Sequence, residues 1–343
     1  MDITLCMIVK NEENNLKKCL ESIKKYVSEI IIIDTGSVDK TKEIAREYSN
    51  KIYDFKWCNN FAKARNFSLE KASNDWVLVL DADEVITEFN ISINMESFKN
   101  NEKLVGRIKR INIIEDEKGN KKYIERVNRL FNKKYYNYQG IIHEQVVAKS
   151  GLEYKTINID IIADHIGYMQ EIIKNTEKLK RNLELLQESI KINDNDPYLY
   201  YQLGKTFYLS KQYEDAFKSF NKALNLNVNI RYEYVEDLIE TYGYTLINTG
   251  RYNEGLALKK YEKYYGDIVD YMFLMALIYM NNGMFENAVN LFLDCIGEKE
   301  GSIEGLNSYL SYHNIGVIYK CLGFEKEARY YKAQASHCKR PEV

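Results

Sequence analysis

The sequence of 343 residues predicts an α/β domain with a mostly parallel sheet, followed by an all-α domain of helical repeats. Two observations carry this prediction. Short apolar runs alternate with helical patterns in the first half of the chain, whereas apolar residues in the second half recur at helical spacing. The change falls near residue 170, so we expect one domain over residues 1–170 and a second over residues 171–343.

The first half contains four apolar runs that we interpret as strands. They cover residues 3–9, 30–33, 51–55 and 76–80, and helical patterns separate them, the clearest at residues 61–72. Strands that are apolar on both faces and alternate with helices are typical of a parallel sheet covered on both sides. Ligands of such sheets bind at the carboxyl ends of the strands. The residues that follow each run are therefore the first candidates for chemistry.

Composition excludes several classes of function. The formal net charge is −2, and basic and acidic residues interleave, so nothing predicts binding to DNA or RNA. No apolar stretch is long enough for a membrane span, and the first residues are too polar for a signal peptide. The six cysteines form no Cys-x-x-Cys pair, and we interpret them as reduced thiols. We therefore expect a cytoplasmic protein without nucleic-acid partners.

The second half repeats one pattern of small and aromatic residues. Beginning at Pro197, the spacing is that of the tetratricopeptide unit of about 34 residues, with Gly204 and Ala216 where two helices of a hairpin approach closely. A third unit around Ala276 and a fourth around Gly316 repeat the pattern, and a degenerate second unit lies near Tyr242-Gly243 and Gly255. A generic helical bundle is the alternative.

Two carboxylates follow the fourth predicted strand directly. Asp81 and Asp83 come after Val77-Leu78-Val79-Leu80, and a turn there aims both at one ligand. Hard oxygen donors beside a diphosphate suit Mg²⁺ or Mn²⁺. A solvated acidic turn is the alternative.

Asp34 ends the second predicted strand in the same way. Its carboxylate can accept hydrogen bonds from a base or a ribose, and Gly36 permits a tight turn and the close approach of a ligand. A turn that merely caps the next helix is the alternative reading.

Four motifs together resemble family 2 glycosyltransferases in order and spacing, and the likeness covers essentially the whole chain. They are Val9-Lys10-Asn11-Glu12, Asp34-Thr35-Gly36-Ser37, Phe61-Ala62-Lys63-Ala64-Arg65-Asn66 and Asp81-Ala82-Asp83-Glu84. The chain is most similar to the branch with C-terminal tetratricopeptide repeats, which resembles the peptide glycosyltransferases that modify bacteriocin precursors. The resemblance implies a GT-A fold and a UDP-sugar as donor.

The resemblance also implies roles for individual residues. Asp34 and Arg65 would hold the uridine, with Glu12 near the nucleobase pocket. Asp83 would be the principal metal carboxylate, and Asp81 would lie at the ribose and metal side.

Two later motifs complete the candidate site. His165, in Asp164-His165-Ile166-Gly167-Tyr168, has the place along the chain where related enzymes take a further metal ligand, although a core or capping histidine is the alternative. His143-Glu144 resembles the acceptor-side pair of this branch. An inverting transfer needs a base on the acceptor side, and Glu144 is our candidate. The Glu-Asp pair that supplies the base in many members is absent here, and a surface glutamate is the alternative.

These observations lead to one expected function. We expect a metal-dependent, inverting transfer of a hexose or N-acetylhexosamine from a UDP-sugar to Ser, Thr or Cys of a peptide or protein. The repeats would offer a concave surface to that acceptor or to a second copy of the chain. A transferase acting on a polysaccharide or cell-envelope glycan is one alternative, and a non-catalytic scaffold with a residual nucleotide site is another.

Overall fold

A computed structural model describes residues 1–116, 119–165, 176–297 and 301–338. The chain forms two compact units, Met1–Lys178 and Leu179–Val343, each of which is described by itself. The predicted boundary at residue 170 and the motif residues 166–168 lie outside the described residues, so that boundary stays a prediction. Among the described helices, none is both long and apolar enough to cross a membrane.

The first unit is built on an eight-stranded mixed sheet in the order β3-β2-β1-β4-β7-β6-β10-β5. Strands β7 and β5 run against the others, so the predicted mostly parallel sheet is confirmed. A separate hairpin joins β8 and β9. The strands are β1 (Ile3–Val9), β2 (Glu29–Asp34), β3 (Ile52–Asp54), β4 (Trp76–Val79), β5 (Glu84–Asn90), β6 (Val105–Asp116), β7 (Gly119–Asn132), β8 (Tyr136–Gln139), β9 (Gln145–Ala148) and β10 (Thr156–His165).

Helices cover both faces of this sheet. They are α1 (Leu16–Ile23), α2 (Thr41–Arg46), α3 (Phe61–Lys71) and α4 (Met95–Asn100). Successive residues of a strand point to opposite faces. Leu5 of β1 therefore packs in the same cluster as Leu20 of α1, whereas Cys6 packs in the cluster that includes Leu69 of α3. Two-sided burial explains why the first strands read as continuous apolar runs.

Strand register places the candidate acids along one edge. Val9 pairs with Asp34, and Asp34 pairs with Asp54, so β1, β2 and β3 end level with one another. The neighbouring strand β4 ends at Val79, and Asp81 follows within two residues. The carboxyl edge of the parallel strands therefore carries Asp34 and Asp81, as the sequence predicts.

The second unit consists of paired helices. After α5 (Thr176–Ile192) come α6 (Pro197–Leu209) with α7 (Tyr213–Asn225), then α8 (Glu233–Asn248), then α11 (Val269–Asn281) with α12 (Phe285–Cys295), and α13 (Tyr309–Cys321) with α14 (Glu325–Cys338). The predicted degenerate unit is the one whose second helix is broken. A 3₁₀ turn at Leu256–Tyr261 separates α9 (Tyr252–Gly255) from α10 (Glu262–Tyr265). The all-α prediction is thus confirmed.

Small residues and tyrosines fill the spaces between these helices. A Cβ atom added at Gly204 would lie 2.4 Å from the ring of Phe220, which explains the small residue predicted there. One prediction about this unit is wrong. The repeat period puts Tyr201 off the small and aromatic core positions, so we expect it to be a polar residue of the concave side. It is instead 5% exposed, and its ring lies 5.4 Å from that of Tyr234. Lys205 and Asn281, chosen with it, are partly exposed and exposed.

The contact at Gly204 leads to a prediction about stability. Gly204→Ala should lower the free energy of unfolding by about 1–3 kcal/mol, because the added methyl overpacks the Phe220 ring. Gly316→Ala is the matched control, since its Cβ would meet no atom closer than 3.4 Å. Urea denaturation measures both variants. Equal stability of the two would contradict the close approach of α6 and α7.

Candidate active site

Asp81 lies at the centre of a cluster of buried charges. Its carboxylate accepts hydrogen bonds from Arg65 of α3 at 2.8 Å and from Arg129 of β7 at 2.6 Å. Both arginines are less than 10% exposed. Burial alone would raise the pKa of Asp81, but Arg129 and Arg65 together outweigh it and hold that pKa well below the usual range. Asp81 is therefore a fixed negative charge.

A second buried acid extends the cluster. Glu84 is fully buried and accepts hydrogen bonds from Arg129 at 2.8 Å and from Arg110 at 3.0 Å. Its other oxygen accepts the backbone N–H of Asp81 at 3.0 Å and so fixes the turn between β4 and β5. Arg110 also meets Glu125 at 2.9 Å. The sequence predicted none of these roles, because they depend on the pairing of β6 with β7.

Asp83 faces the histidine that the sequence paired with it. Oδ2 of Asp83 lies 3.1 Å from Nε2 of His165, and Nδ1 of His165 lies 2.7 Å from Oδ1 of Asn112. Asn112 donates its amide to Glu125 at 2.6 Å, which fixes Oδ1 toward the imidazole. Nδ1 of His165 therefore donates, and Nε2 is the nitrogen aimed at Asp83. Asn112 and Glu84 both pair with His165 in the strand register.

This arrangement fits a divalent cation. Metal-binding histidines commonly donate their second ring nitrogen to a carbonyl-type oxygen, as His165 does to Asn112. Burial lowers the pKa of His165, but the hydrogen bond with Asp83 outweighs it and raises that pKa. The proton shared by this pair lies where a cation would displace it. Within the described ranges, no three His, Cys, Asp or Glu side chains are grouped to hold a metal, and Asp81 remains a predicted third ligand.

Glu144 joins the same cluster as Asp81 through one arginine. Nε of Arg65 donates to Glu144, and Nη2 of the same guanidinium donates to Asp81. The turn before Glu144 is tied to α3 by the hydrogen bond from Phe61 N to Ile141 O at 2.9 Å. His143 has a φ of 51°, the left-handed region. Glu144 is only 10% exposed, so the alternative reading as a surface glutamate does not describe it.

The ring of Tyr138, on β8, closes the cluster on one side. The guanidinium of Arg65 lies 5.5 Å from the ring centroid, within the range of a cation–π contact. The Tyr138 hydroxyl is buried and has no hydrogen-bond partner in the part of the chain that is described. Burial raises its pKa, so the group stays neutral. The sequence offered no signal for Tyr138, because β8 lies outside the main sheet.

Only one carboxylate oxygen of Asp34 accepts hydrogen bonds from the turn that follows β2. Oδ1 accepts the N–H groups of Gly36 and Ser37 at 2.9 Å each, and Gly36 has a φ of 107° that requires glycine. Oδ2 is buried without a hydrogen-bond partner among the described residues. Glu12 lies beside this turn, since its backbone N–H donates to Thr41 at 2.7 Å and Asn11 N–H donates to Ser37. The alternative interpretation of Asp34 as part of a turn therefore explains the position of Oδ1 but not that of Oδ2.

The predicted residues thus fall into three groups. Arg65, Asp81 and Glu144 share one cluster, Asp83 faces His165, and Asp34 lies with Glu12 at the end of β2. If Glu144 is not the base, the sequence offers Asp164 as the next candidate. Asp164 lies on β10 beside His165, and alternation along the strand points it to the other face of the sheet.

Comparison with known proteins gives the class of each unit. Residues 4–150 match the model of glycosyl transferase family 2, and residues 197–228 and 269–301 match the tetratricopeptide repeat. The first unit therefore carries a family 2 glycosyltransferase domain, and the second carries tetratricopeptide repeats. The two matched repeats are the first and third units of the sequence prediction, and the degenerate second unit is outside the match.

Individual relatives agree with this division. The prophage-derived glycosyltransferase SunS of Bacillus subtilis is 27% identical over 237 residues, 65% of this chain and 53% of SunS. An uncharacterized glycosyltransferase of Rickettsia typhi is 26% identical over 161 residues, 44% of this chain and 55% of the relative. A TPR repeat-containing protein of Synechococcus elongatus is 48% identical over 82 residues, 24% of this chain and 20% of the relative. The chain spans a fifth to about half of the length of these relatives.

Among solved structures, that of MamA is similar to this chain with a TM-score of 0.41 and 16% identity. The match covers 49% of this chain and 91% of MamA.

The charge cluster leads to a prediction about stability. Arg129→Met should lower the free energy of unfolding by about 3 kcal/mol, the low end for a broken buried ion pair, because Asp81 and Glu84 each keep one arginine. Lys134→Met is the control, since its ion pair with Asp75 is half exposed and should contribute little. Urea denaturation measures both, and a similar loss in the two variants would contradict the buried network.

Proposed function

We propose that the chain is a metal-dependent, inverting glycosyltransferase that transfers a sugar from a UDP-sugar to a peptide or protein. The single observation that supports it most is the pairing of His165 at 3.1 Å with Asp83, which lies within the residues that match family 2. A carboxylate that faces an imidazole oriented by Asn112 supports a cation site at this point. A hexose or an N-acetylhexosamine on UDP is the donor class we propose.

The donor's uridine would lie at the end of β2. Oδ2 of Asp34 is buried and available to accept from the base or the ribose, while Oδ1 stays bound to the turn. Arg65 lies behind this edge and holds Asp81 toward the ribose side. Glu12 would border the nucleobase pocket from the loop after β1. Each of these residues is fixed by hydrogen bonds before the donor arrives, which reduces the cost of ordering the site.

Asp83 and His165, together with Asp81, would hold Mn²⁺ or Mg²⁺. When bound, such an ion neutralises charge on the diphosphate leaving group. Asn112 accepts the hydrogen bond from Nδ1 of His165, and Glu125 accepts one from the amide of Asn112. Together they fix the tautomer of His165. The role of these two residues is to keep Nε2 directed at the cation site.

Glu144 would take the proton from the acceptor as its oxygen or sulfur attacks C1 on the face opposite the leaving phosphate. Its hydrogen bond with Nε of Arg65 orients the carboxylate and ties it to the charge of Asp81. His143, just before it in the turn, would border the acceptor. We assign the acceptor nucleophile to Ser, Thr or Cys of a peptide or protein, because the repeats of the second unit suit polypeptide binding.

A test of the metal assignment uses Asp83→Ala. The variant should lose Mn²⁺-dependent UDP-sugar hydrolysis by at least about 10²-fold, because the cation loses its principal carboxylate. Release of UDP, measured over a series of Mn²⁺ concentrations, reports the loss. Asp160→Asn, an exposed acid on β10, is the control and should retain activity. Turnover of the Asp83 variant within about threefold of that of the parent chain would contradict the assignment of Asp83 as a metal ligand. If the parent chain does not hydrolyse UDP-sugars, the alternative of a non-catalytic scaffold with a residual nucleotide site is favoured.

A test of the base uses Glu144→Gln. UDP affinity should persist while transfer falls by about 10²–10⁴, the usual contribution of a general base. Glu153→Gln, exposed and outside the strands, is the matched control. Titration calorimetry with UDP and the rate of acceptor glycosylation separate binding from chemistry. Unchanged transfer would contradict the assignment of Glu144 as the base.

A further inference from the structure

Four acidic side chains meet on the first helices of the second and third repeats. Glu236, Asp237 and Glu240 are on α8 and Asp270 begins α11, and we call these four residues the acidic cluster. Glu236 and Glu240 are one turn apart and so share a side of α8. The three residues of α8 are partly exposed, so solvent reaches the cluster. A ligand from solvent can therefore approach the acidic groups of α8.

One cation from the chain itself already binds at the edge of the cluster. Nζ of Lys205 lies 3.0 Å from Oδ2 of Asp237 and 5.4 Å from the centroid of the Tyr201 ring. The Tyr201 hydroxyl donates to the same carboxylate. This corner therefore binds an ammonium group with a carboxylate and an aromatic face, the chemistry that recognises lysine and arginine side chains.

The next acid along α8 has no such partner. Oε1 of Glu240 is buried without a hydrogen-bond partner in the part of the chain that the structure describes. Burial, with Asp270, Asp237 and Glu236 nearby, raises the pKa of Glu240 well above its usual value. Burial and the neighbouring Asp270 raise that of Glu236 to about 7. A buried, unpaired carboxylate costs stability unless a ligand supplies the missing donor.

The shape of the cluster favours an extended cation over a metal ion. Among the described residues no three such acids are close enough together to hold a metal. Asp270 is also engaged, since it accepts from the backbone N–H of Ser302 at 3.0 Å. The buried Tyr201 and the partly exposed Tyr244 flank the cluster along the first helices. Aromatic rings beside separated carboxylates fit the aliphatic stem and charged head of a long basic side chain.

We propose that the acidic cluster binds lysine or arginine side chains of a cationic peptide segment, with Glu240 and Glu236 as the carboxylates that contact them. This inference rests on the proposed function in one respect, since it gives the acceptor polypeptide a chemical class. The binding itself needs neither donor nor metal.

The test measures peptide binding to the full chain without UDP-sugar or metal. The probe is a fluorescein-labelled decapeptide with lysines spaced by glycine and serine, and its counterpart has glutamate at the lysine positions. Fluorescence anisotropy should show the lysine peptide binding at least about tenfold more tightly than the glutamate peptide, a difference of about 1.4 kcal/mol. Equal binding, or no binding of either peptide, overturns the inference.

Variants then locate the binding. Glu236→Gln with Glu240→Gln should weaken binding of the lysine peptide by about tenfold or more, since two contacting charges are lost. Glu286→Gln with Glu327→Gln removes the same net charge from exposed positions of later repeats and should change binding less than about twofold. An equal loss in both double variants would mean attraction to overall charge and would overturn the site.

Stability separates a binding role from a structural one. Glu240→Gln should leave the melting temperature unchanged or raise it, because it removes an unpaired buried carboxylate. A lowered melting temperature would mean that Glu240 supports the fold, and would overturn its assignment. UDP-sugar hydrolysis is measured in parallel. Peptide binding without hydrolysis would defeat the proposed function alone, whereas hydrolysis without peptide binding would defeat this inference alone.

Discussion

The pairing of Asp81 with the buried Arg65 and Arg129 is the constraint on which the first unit depends. A guanidinium or carboxylate is costly to bury unless its charge and hydrogen bonds are matched. Here each oxygen of Asp81 meets a different arginine, and the two arginines come from α3 and from β7. The same two arginines reach Glu144 and Glu84. The strand end, the helix and the turn that carry the candidate site are thus held in one electrostatic unit.

That constraint also gives Asp81 and Asp83 different neighbours within the chain. Asp81 and Asp83 are two residues apart, and the sequence predicted a shared ligand for them. The arginines hold Asp81 on one side of the turn, whereas the imidazole of His165 meets Asp83. The backbone of Asp81 is fixed as well, since its N–H donates to Glu84. The two carboxylates of this short motif therefore meet different partners within the chain.

Local sequence signals predicted the parts of the site that depend on neighbours along the chain. Asp34 and Asp81 follow apolar strands, and the small residues of the repeats recur at a fixed period, so both could be found without contacts. Arg129, Glu84 and Asn112 could not, because their partners depend on the register of β6, β7 and β10. That register joins residues far apart in sequence, and no period or motif marks it. The family resemblance supplied His165 from its order along the chain.

The repeats show a different limit. The period placed Tyr201 on the correct helix, but it could not show that the ring of Tyr234 covers it. Whether a position on a helix is exposed depends on the size of its neighbours in the next repeat, which the period does not contain.

The repeat helices differ from the first unit in how their acidic side chains are paired. Asp81 and Glu84 each meet two arginines, whereas Oε1 of Glu240 meets no hydrogen-bond donor among the described residues. The first unit shows that buried acids of this chain can be paired with arginine. Glu240 lowers stability in this position, and Tyr201 and Lys205 lie near it. A ligand that pairs with Glu240 explains this arrangement better than a role in the fold does. Asp81 and Glu84 hold elements of the first unit together through their arginines, whereas Glu240 of the second unit is placed to pair with a donor from outside the chain.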